Sequence, residues 1–147
     1  MLHIFTTKEK EILMRVIKFN GVEHQVAVCI EELNELLYAV YDYVNNGIEE
    51  NLCEELADVE IVLYELILSR VCTPQHCSFN HSDAIHALND FIHDLTRWLR
   101  CEEIYTMQVH MNDVYEAVKL LKEEHTPKKV EEYIQLKLER LRKVYNV

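Results

Sequence analysis

Apolar residues along much of this chain recur at alternating steps of four and three, the seam of a bundle helix. The cleanest run is Val26, Ile30, Leu33, Leu37, Val40 and Val44, which predicts a helix over residues 22–44 that stops at Asn45-Asn46-Gly47. Leu52, Leu56, Val59, Leu63 and Leu66 repeat the pattern in a helix over 48–71. Ahead of them, a helix over 7–19 takes Thr6 or Thr7 as N-cap and Asn20-Gly21 as its stop. Beyond a loop at 72–80 that contains Pro74, two more helices are predicted over 82–100 and 102–124, and Pro127 opens a last one to 145. The second and third helices are joined by a short connection and should form an antiparallel hairpin. The second is apolar away from its seam as well, at Val28, Cys29, Leu36, Ala39 and Tyr43, which predicts a largely buried helix.

Composition narrows the fold class further. Only two Gly and two Pro occur in 147 residues, where average usage is ~12% for the pair. Sheets, sandwiches and barrels need these residues at their many turns, so an all-β fold is excluded. Glycine-rich phosphate loops go too, since neither GxGxxG nor GxxxxGK[ST] is present. The length fits a single domain, 1–147, with one core. No run of 18 apolar residues occurs, and the N-terminus lacks the charged-then-apolar order of a signal peptide, so no membrane partner is expected. The five cysteines, Cys29, Cys53, Cys72, Cys77 and Cys101, are odd in number and read as reduced thiols in a cytoplasm. The expected fold is an all-α helical bundle.

Charge changes the picture more. Fifteen Lys and Arg against 26 Asp and Glu give −11, which argues against a duplex-nucleic-acid partner. Between Lys18 and Arg70 there is no basic residue at all, while twelve acids occur there. Within that window the second helix carries Glu31-Glu32-Leu33-Asn34-Glu35 and the third carries Glu54-Glu55-Leu56-Ala57-Asp58. Glu32 and Glu35, like Glu55 and Asp58, are three apart and project from one face of their helix. Glu32 shares its stripe with Val28, Leu36 and Ala39, so it should point toward packed surface. Like charges at this spacing destabilise a helix by roughly 0.2–0.5 kcal/mol per pair, and burial makes that far worse. Two such pairs facing each other across a hairpin call for a hard divalent cation, and oxygen ligation favours Mg²⁺ or Mn²⁺ over Zn²⁺.

The paired motif, Gln25 and then Glu31-Glu32-Leu33-Asn34-Glu35-Leu36, with nineteen residues between Glu35 and Glu55, and Glu55-Leu56-Ala57-Asp58-Val59, resembles the MazG-like nucleotide pyrophosphohydrolases. That all-α superfamily also includes dimeric dUTPases and dCTP pyrophosphatases, and its signature is ExxE, a spacer and ExxD. The likeness covers residues 22–70, and Lys137-Leu138-Glu139-Arg140-Leu141 resembles the tail helix of phage-type members. It implies that Glu32, Glu35, Glu55 and Asp58 hold Mg²⁺ on a nucleoside triphosphate and that Lys137 and Arg140 meet its phosphates. The chain departs from many members at Val62, where they carry an aromatic, and near Leu141, where they carry Asn. Hydrolysis of a phosphoanhydride needs charge neutralisation and an oriented water, and a carboxylate can accept the water's proton. Glu32 is the candidate base, with Glu31 behind it. The implied activity is Mg²⁺-dependent hydrolysis of a nucleoside triphosphate, a dNTP or a non-standard one, to monophosphate and pyrophosphate. The alternative is a non-catalytic helical module, binding a nucleotide or a protein, that kept its acidic site.

Other signals are weaker. Cys72, His76, Cys77 and His81 cluster in the loop but lack a CxxC pair of a zinc site. A lone His93-Asp94 dipeptide is too short to stand for an HD-type phosphohydrolase, and the absence of Glu-x-x-His removes a ferritin-like di-iron centre. Trp98 and the eight tyrosines read as core and helix-packing residues, with Tyr38 and Tyr43 nearest the carboxylates. Sliding the chain on itself by 55 residues lays Ile30–Glu35 on Ile85–Asp90 and Asp58-Val59 on Asp113-Val114. On that reading the bundle is two hairpins with flanking terminal helices, the hairpin at 82–123 being a degenerate copy of the metal-binding one. Glu32, Glu35, Glu55 and Asp58 become Ala87, Asp90, His110 and Asp113, so one cluster per chain is expected. The chain would then be a monomeric pseudo-dimer, or pair further as a homodimer.

Overall fold

The computed structural model describes residues 1–75 and 83–147. Six helices account for nearly all of it: α1 (Thr7–Asn20), α2 (Val22–Asn46), α3 (Leu52–Leu68), α4 (Ala84–Leu99), α5 (Met107–Glu124) and α6 (Pro127–Val144), with no strand among the described residues. A capping box starts α1, Thr6 Oγ1 accepting from the Glu9 N–H at 3.1 Å and the Glu9 carboxylate from the Thr6 N–H at 2.9 Å. Gly21 (φ 88°) turns the chain directly into α2.

Three helix ends lie three or more residues from the sequence expectation, each for a backbone reason. Helix α3 starts at Leu52 and not at 48, because Gly47 (φ 68°) closes α2 in the left-handed conformation and the Ile48 N–H bonds back to Asp42 O. It ends at Leu68, short of 71, because Arg70 is left-handed (φ 61°) and the Val71 N–H returns to Leu66 O at 3.0 Å. Helix α5 starts at Met107 and not at 102, since Cys101 (φ 61°) and the Glu102 N–H to Arg97 O complete the end of α4 first.

Helix α3 is the central strut, in contact with α1, α2, α5 and α6, while α4 packs along both α2 and α5. One continuous core holds Leu33, Leu36, Leu56, Leu63, Leu88, Phe91, Met111, Val118, Ile134 and Leu138, all almost fully buried. On one side of α3 the buried Lys122 ammonium meets Glu60 Oε2 at 3.0 Å and Glu131 Oε1 at 2.8 Å, and Glu131 also meets His3 Nδ1 at 2.6 Å. These bonds tie α5, α3, α6 and the N-terminal segment together. Removing one partner of such a buried pair costs ~3–5 kcal/mol.

Helix α2 is buried only as far as Val40. Tyr38, Tyr41 and Val44 are 71%, 54% and 62% exposed, and Tyr105 is exposed too, so these tyrosines are not core. In the antiparallel pairing described below, Leu52 stands opposite residue 38, so the last turns of α2 have no α3 residue facing them. Tyr43 instead packs edge-on against His125 at 4.5 Å, and Trp98 lies half-buried against the core. Cys29, Cys53, Cys72 and Cys101 are free thiols. Three members of the loop cluster, His76, Cys77 and His81, lie outside the described residues, as does the start expected at 82 for the fourth helix. No helix among the described residues is long and apolar enough to cross a membrane.

Candidate metal centre

The α2 and α3 side chains meet in antiparallel rungs. Gln25 Nε2 donates to Glu65 Oε2 at 3.0 Å, and the same descending order brings Glu32 to Asp58 and Glu35 to Glu55. The rungs follow from helix geometry: Glu32 and Glu35 are one turn apart on α2, Glu55 and Asp58 one turn apart on α3, and the hairpin sets the two turns side by side. One carboxylate oxygen from each of the four lies within 4.8 Å of the others. Among the described residues, no other group of three or more His, Cys, Asp or Glu ligands converges in this way.

The site is electrostatically unfinished. Glu32 Oε2 and Glu55 Oε2 are buried and accept no hydrogen bond. Burial first, and then the charges of Asp58, Glu35 and Glu55, push the Glu32 carboxyl up to about 8. Burial with Asp58 and Glu35 lifts Glu55 to about 7. Asp58 is also raised by burial, against the pull of Lys137. Lys137, from α6, places Nζ 2.6 Å from Asp58 Oδ1 and 3.4 Å from Glu54 Oε1. Burial lowers its pKa, but those two carboxylates outweigh burial and hold the ammonium above the usual lysine range.

Two cavities flank the cluster. The larger, about 430 Å³, has Glu32 and Asp58 in its wall together with Lys137, Arg140 and His24. The smaller, about 280 Å³, has Glu35 and Glu55 with Tyr38, Ile48 and Asn51. Four of the site residues predicted from sequence therefore converge, Lys137 touches one of them, and exposed Arg140 lines the adjoining cavity. Glu31 does not join them: it is exposed and outside the converging group.

Sequence reasoning missed Glu54 as a Lys137 partner and missed the inner wall of the larger cavity. There Glu65, almost fully buried, is pushed up to about 8 by burial, with the Gln25 amide pulling the other way. The signal was available. Glu65 follows Asp58 by seven residues, as Gln25 precedes Glu32 by seven, so both stay on the stripe that carries the carboxylates.

In the α4–α5 pair, Thr106 Oγ1 donates to Asp94 Oδ2 at 3.0 Å and His110 Nε2 lies 4.0 Å from Asp90 Oδ2, again in descending order. Asp94 also holds His110 Nδ1 at 2.6 Å. The partner of Asp94 is thus His110, across the helix pair, while its neighbour His93 is exposed. Ala87 and Asp113 are buried, and Asp113 Oδ1 has no hydrogen bond.

Crowded carboxylates with unpartnered buried oxygens, and no nitrogen or sulfur donor among them, fit a hard divalent cation. Comparison with known protein families, with curated proteins and with solved structures found no match for this chain.

Proposed function

We propose that this protein is a divalent-cation-dependent nucleoside triphosphate pyrophosphohydrolase of the MazG-like type. The observation that carries the reading is the four-carboxylate cluster opening on a cavity walled by Lys137 and Arg140. Glu32, Glu35, Glu55 and Asp58 would hold Mg²⁺, or Mn²⁺ in its place. Bound there, the cation supplies charge neutralisation on the phosphates and a more acidic water.

The remaining work falls to the chain. Lys137 is already bound to Asp58 and Glu54, and a triphosphate entering the larger cavity would compete with those carboxylates for its ammonium. Arg140 offers a guanidinium fork at the open wall of the same cavity. Water cleaves the α–β phosphoanhydride, giving a nucleoside monophosphate and pyrophosphate, and Glu32 accepts the water's proton. The absence of Glu31 from the cluster leaves Glu32 alone in that role. The substrate is a dNTP or a non-standard nucleotide, and removal of such nucleotides from the pool is the role that follows.

We further propose that α4–α5 is a degenerate copy of α2–α3. The correspondence puts the Asp90–His110 approach where Glu35 and Glu55 meet, and Ala87 with Asp113 where Glu32 meets Asp58. With two of four carboxylates replaced, one cation cluster per chain is expected. The chain then supplies within itself the packing that a second subunit gives a homodimer.

The test is pyrophosphate release from a panel of standard and modified nucleoside triphosphates with Mg²⁺ or Mn²⁺. Release that stops on chelation supports the enzyme. Binding without turnover of any member would replace it with the non-catalytic nucleotide-binding module.

A further inference from the structure

The larger cavity has an inner wall that the metal and phosphate roles leave unused. Asn20, Gln25, Glu65 and Tyr145, from α1, α2, α3 and the end of α6, all line it together with Glu32 and Asp58. They form one relay: Asn20 Nδ2 donates to Tyr145 Oη at 2.8 Å and to Gln25 Oε1 at 3.0 Å, and Gln25 Nε2 donates to Glu65 Oε2 at 3.0 Å. In this arrangement Gln25 turns its amide N–H₂ toward the Glu65 carboxyl and its carbonyl toward Asn20. The phenol of Tyr145 accepts from Asn20 and keeps its own proton to give away. Among the described residues no hydrogen bond reaches Glu65 Oε1. Glu65 and Gln25 are 4% and 5% exposed, so the relay is a built, rigid surface and not a solvated edge.

Glu65 lines the cavity with its second carboxyl oxygen unbonded by the protein, so a ligand there can complete it. Glu65 stands two helical turns along α3 from Asp58, about 10 Å at 1.5 Å per residue. A nucleotide with its phosphates at the carboxylates and Lys137 would have this wall within reach of its base. We infer that Glu65 is the specificity-determining residue for the nucleobase: its carboxyl, oriented by Gln25 and Asn20, hydrogen-bonds the Watson–Crick edge of the base, with the Tyr145 hydroxyl as a donor beside it. Carboxyl groups read such edges through the ring or exocyclic N–H. This inference rests on the nucleotide reading above, and Gln25 and Asn20 serve in it as positioning residues.

The experiment measures equilibrium binding by calorimetry, with Mg²⁺, of four α,β-imido deoxynucleoside triphosphates and of inorganic tripolyphosphate, to wild type, Glu65→Gln and Glu65→Leu. Tripolyphosphate makes the cation and phosphate contacts but has no base. Loss of one hydrogen bond to a charged or buried group predicts that Glu65→Leu weakens the preferred nucleotide roughly 10- to 100-fold. The spread among the four bases should narrow, with tripolyphosphate unchanged. Glu65→Gln preserves the shape and the Gln25 contact, and should reorder the bases if Glu65→Leu does not fold. An unchanged order of the four bases in a folded Glu65 variant overturns the inference and leaves the nucleotide reading standing. Wild type that binds tripolyphosphate and nucleotides equally also overturns the inference alone. Wild type that binds neither overturns both.

Discussion

The α2–α3 and α4–α5 helix pairs handle buried acid in opposite ways. In α4–α5 the buried Asp94 is hydrogen-bonded from within, to His110 at 2.6 Å and Thr106 at 3.0 Å. In α2–α3 the carboxylates face one another, Glu32 and Glu55 keep unpartnered buried oxygens, and Asp58 pairs with Lys137, borrowed from α6. A buried carboxyl bonded within its own helix pair needs nothing from outside. One that leaves carboxyls raised to about 8 and about 7 is poised for a ligand that brings positive charge. Asp113, in the second pair, is buried and keeps an unpartnered Oδ1.

The sharpest way to break this comparison is to remove one acid from each pair. Asp58→Asn or Glu35→Gln should cut pyrophosphate release by roughly a hundredfold or more, the scale of losing one electrostatic element of a phosphoryl-transfer site. Asp90→Asn in α4 should leave the rate within about twofold. An active Asp58→Asn enzyme removes that residue from the required ligands. Equal losses in both pairs would erase the distinction between them.

Lys137→Gln tests the borrowed cation. Its loss should raise the KM for a triphosphate roughly 10- to 100-fold, the weight of a charge-assisted hydrogen bond, with a smaller change in kcat. Steady-state kinetics in Mg²⁺ separates the two constants.

Thermal melting sharpens the contrast without any substrate. In chelator, Asp58→Asn or Glu35→Gln should melt higher than wild type, because one of four crowded charges is gone; about 2–4 °C is expected for each kcal/mol relieved. Mg²⁺ should raise the wild-type Tm and leave these variants little changed. Asp90→Asn should follow the wild type in both conditions.

The smallest expected effect is on pH dependence. Glu32, Glu65 and Glu55 carry folded pKa values of about 8, about 8 and about 7, above the ordinary 4.5. The folded state therefore binds more protons than the unfolded one between pH 4.5 and 8. Their contribution to stability is complete below 4.5 and is lost as pH rises toward 8. The chelated protein should melt lower at pH 8.5 than at pH 5.5. Glu65→Gln should reduce that difference, since an amide has no proton to lose. A flat profile in wild type would contradict the raised values.

Much of this molecule was determined by its sequence. The four-three seam, the Gly21 and Gly47 stops and the Thr6 cap set six helices, because each depends on residues within a turn or two of one another. Glu32 with Glu35, and Glu55 with Asp58, were legible for the same reason: the 3.6-residue period puts them on one face whatever surrounds the helix. What only the tertiary structure decided are contacts between helices far apart in the chain. Lys137 could be assigned to a phosphate from resemblance, but its hold on Asp58 and Glu54 depends on how α6 lies on α3. Glu65 is one of twelve acids in its window until the hairpin sets it against Gln25, and Glu31, next to Glu32, is carried out to solvent by a rotation of about 100° per residue. Helical periodicity fixes which side chains share a face. Which face meets which, and which oxygen is left without a partner, is fixed by packing between segments 16 to more than 100 residues apart, and no local pattern encodes that distance.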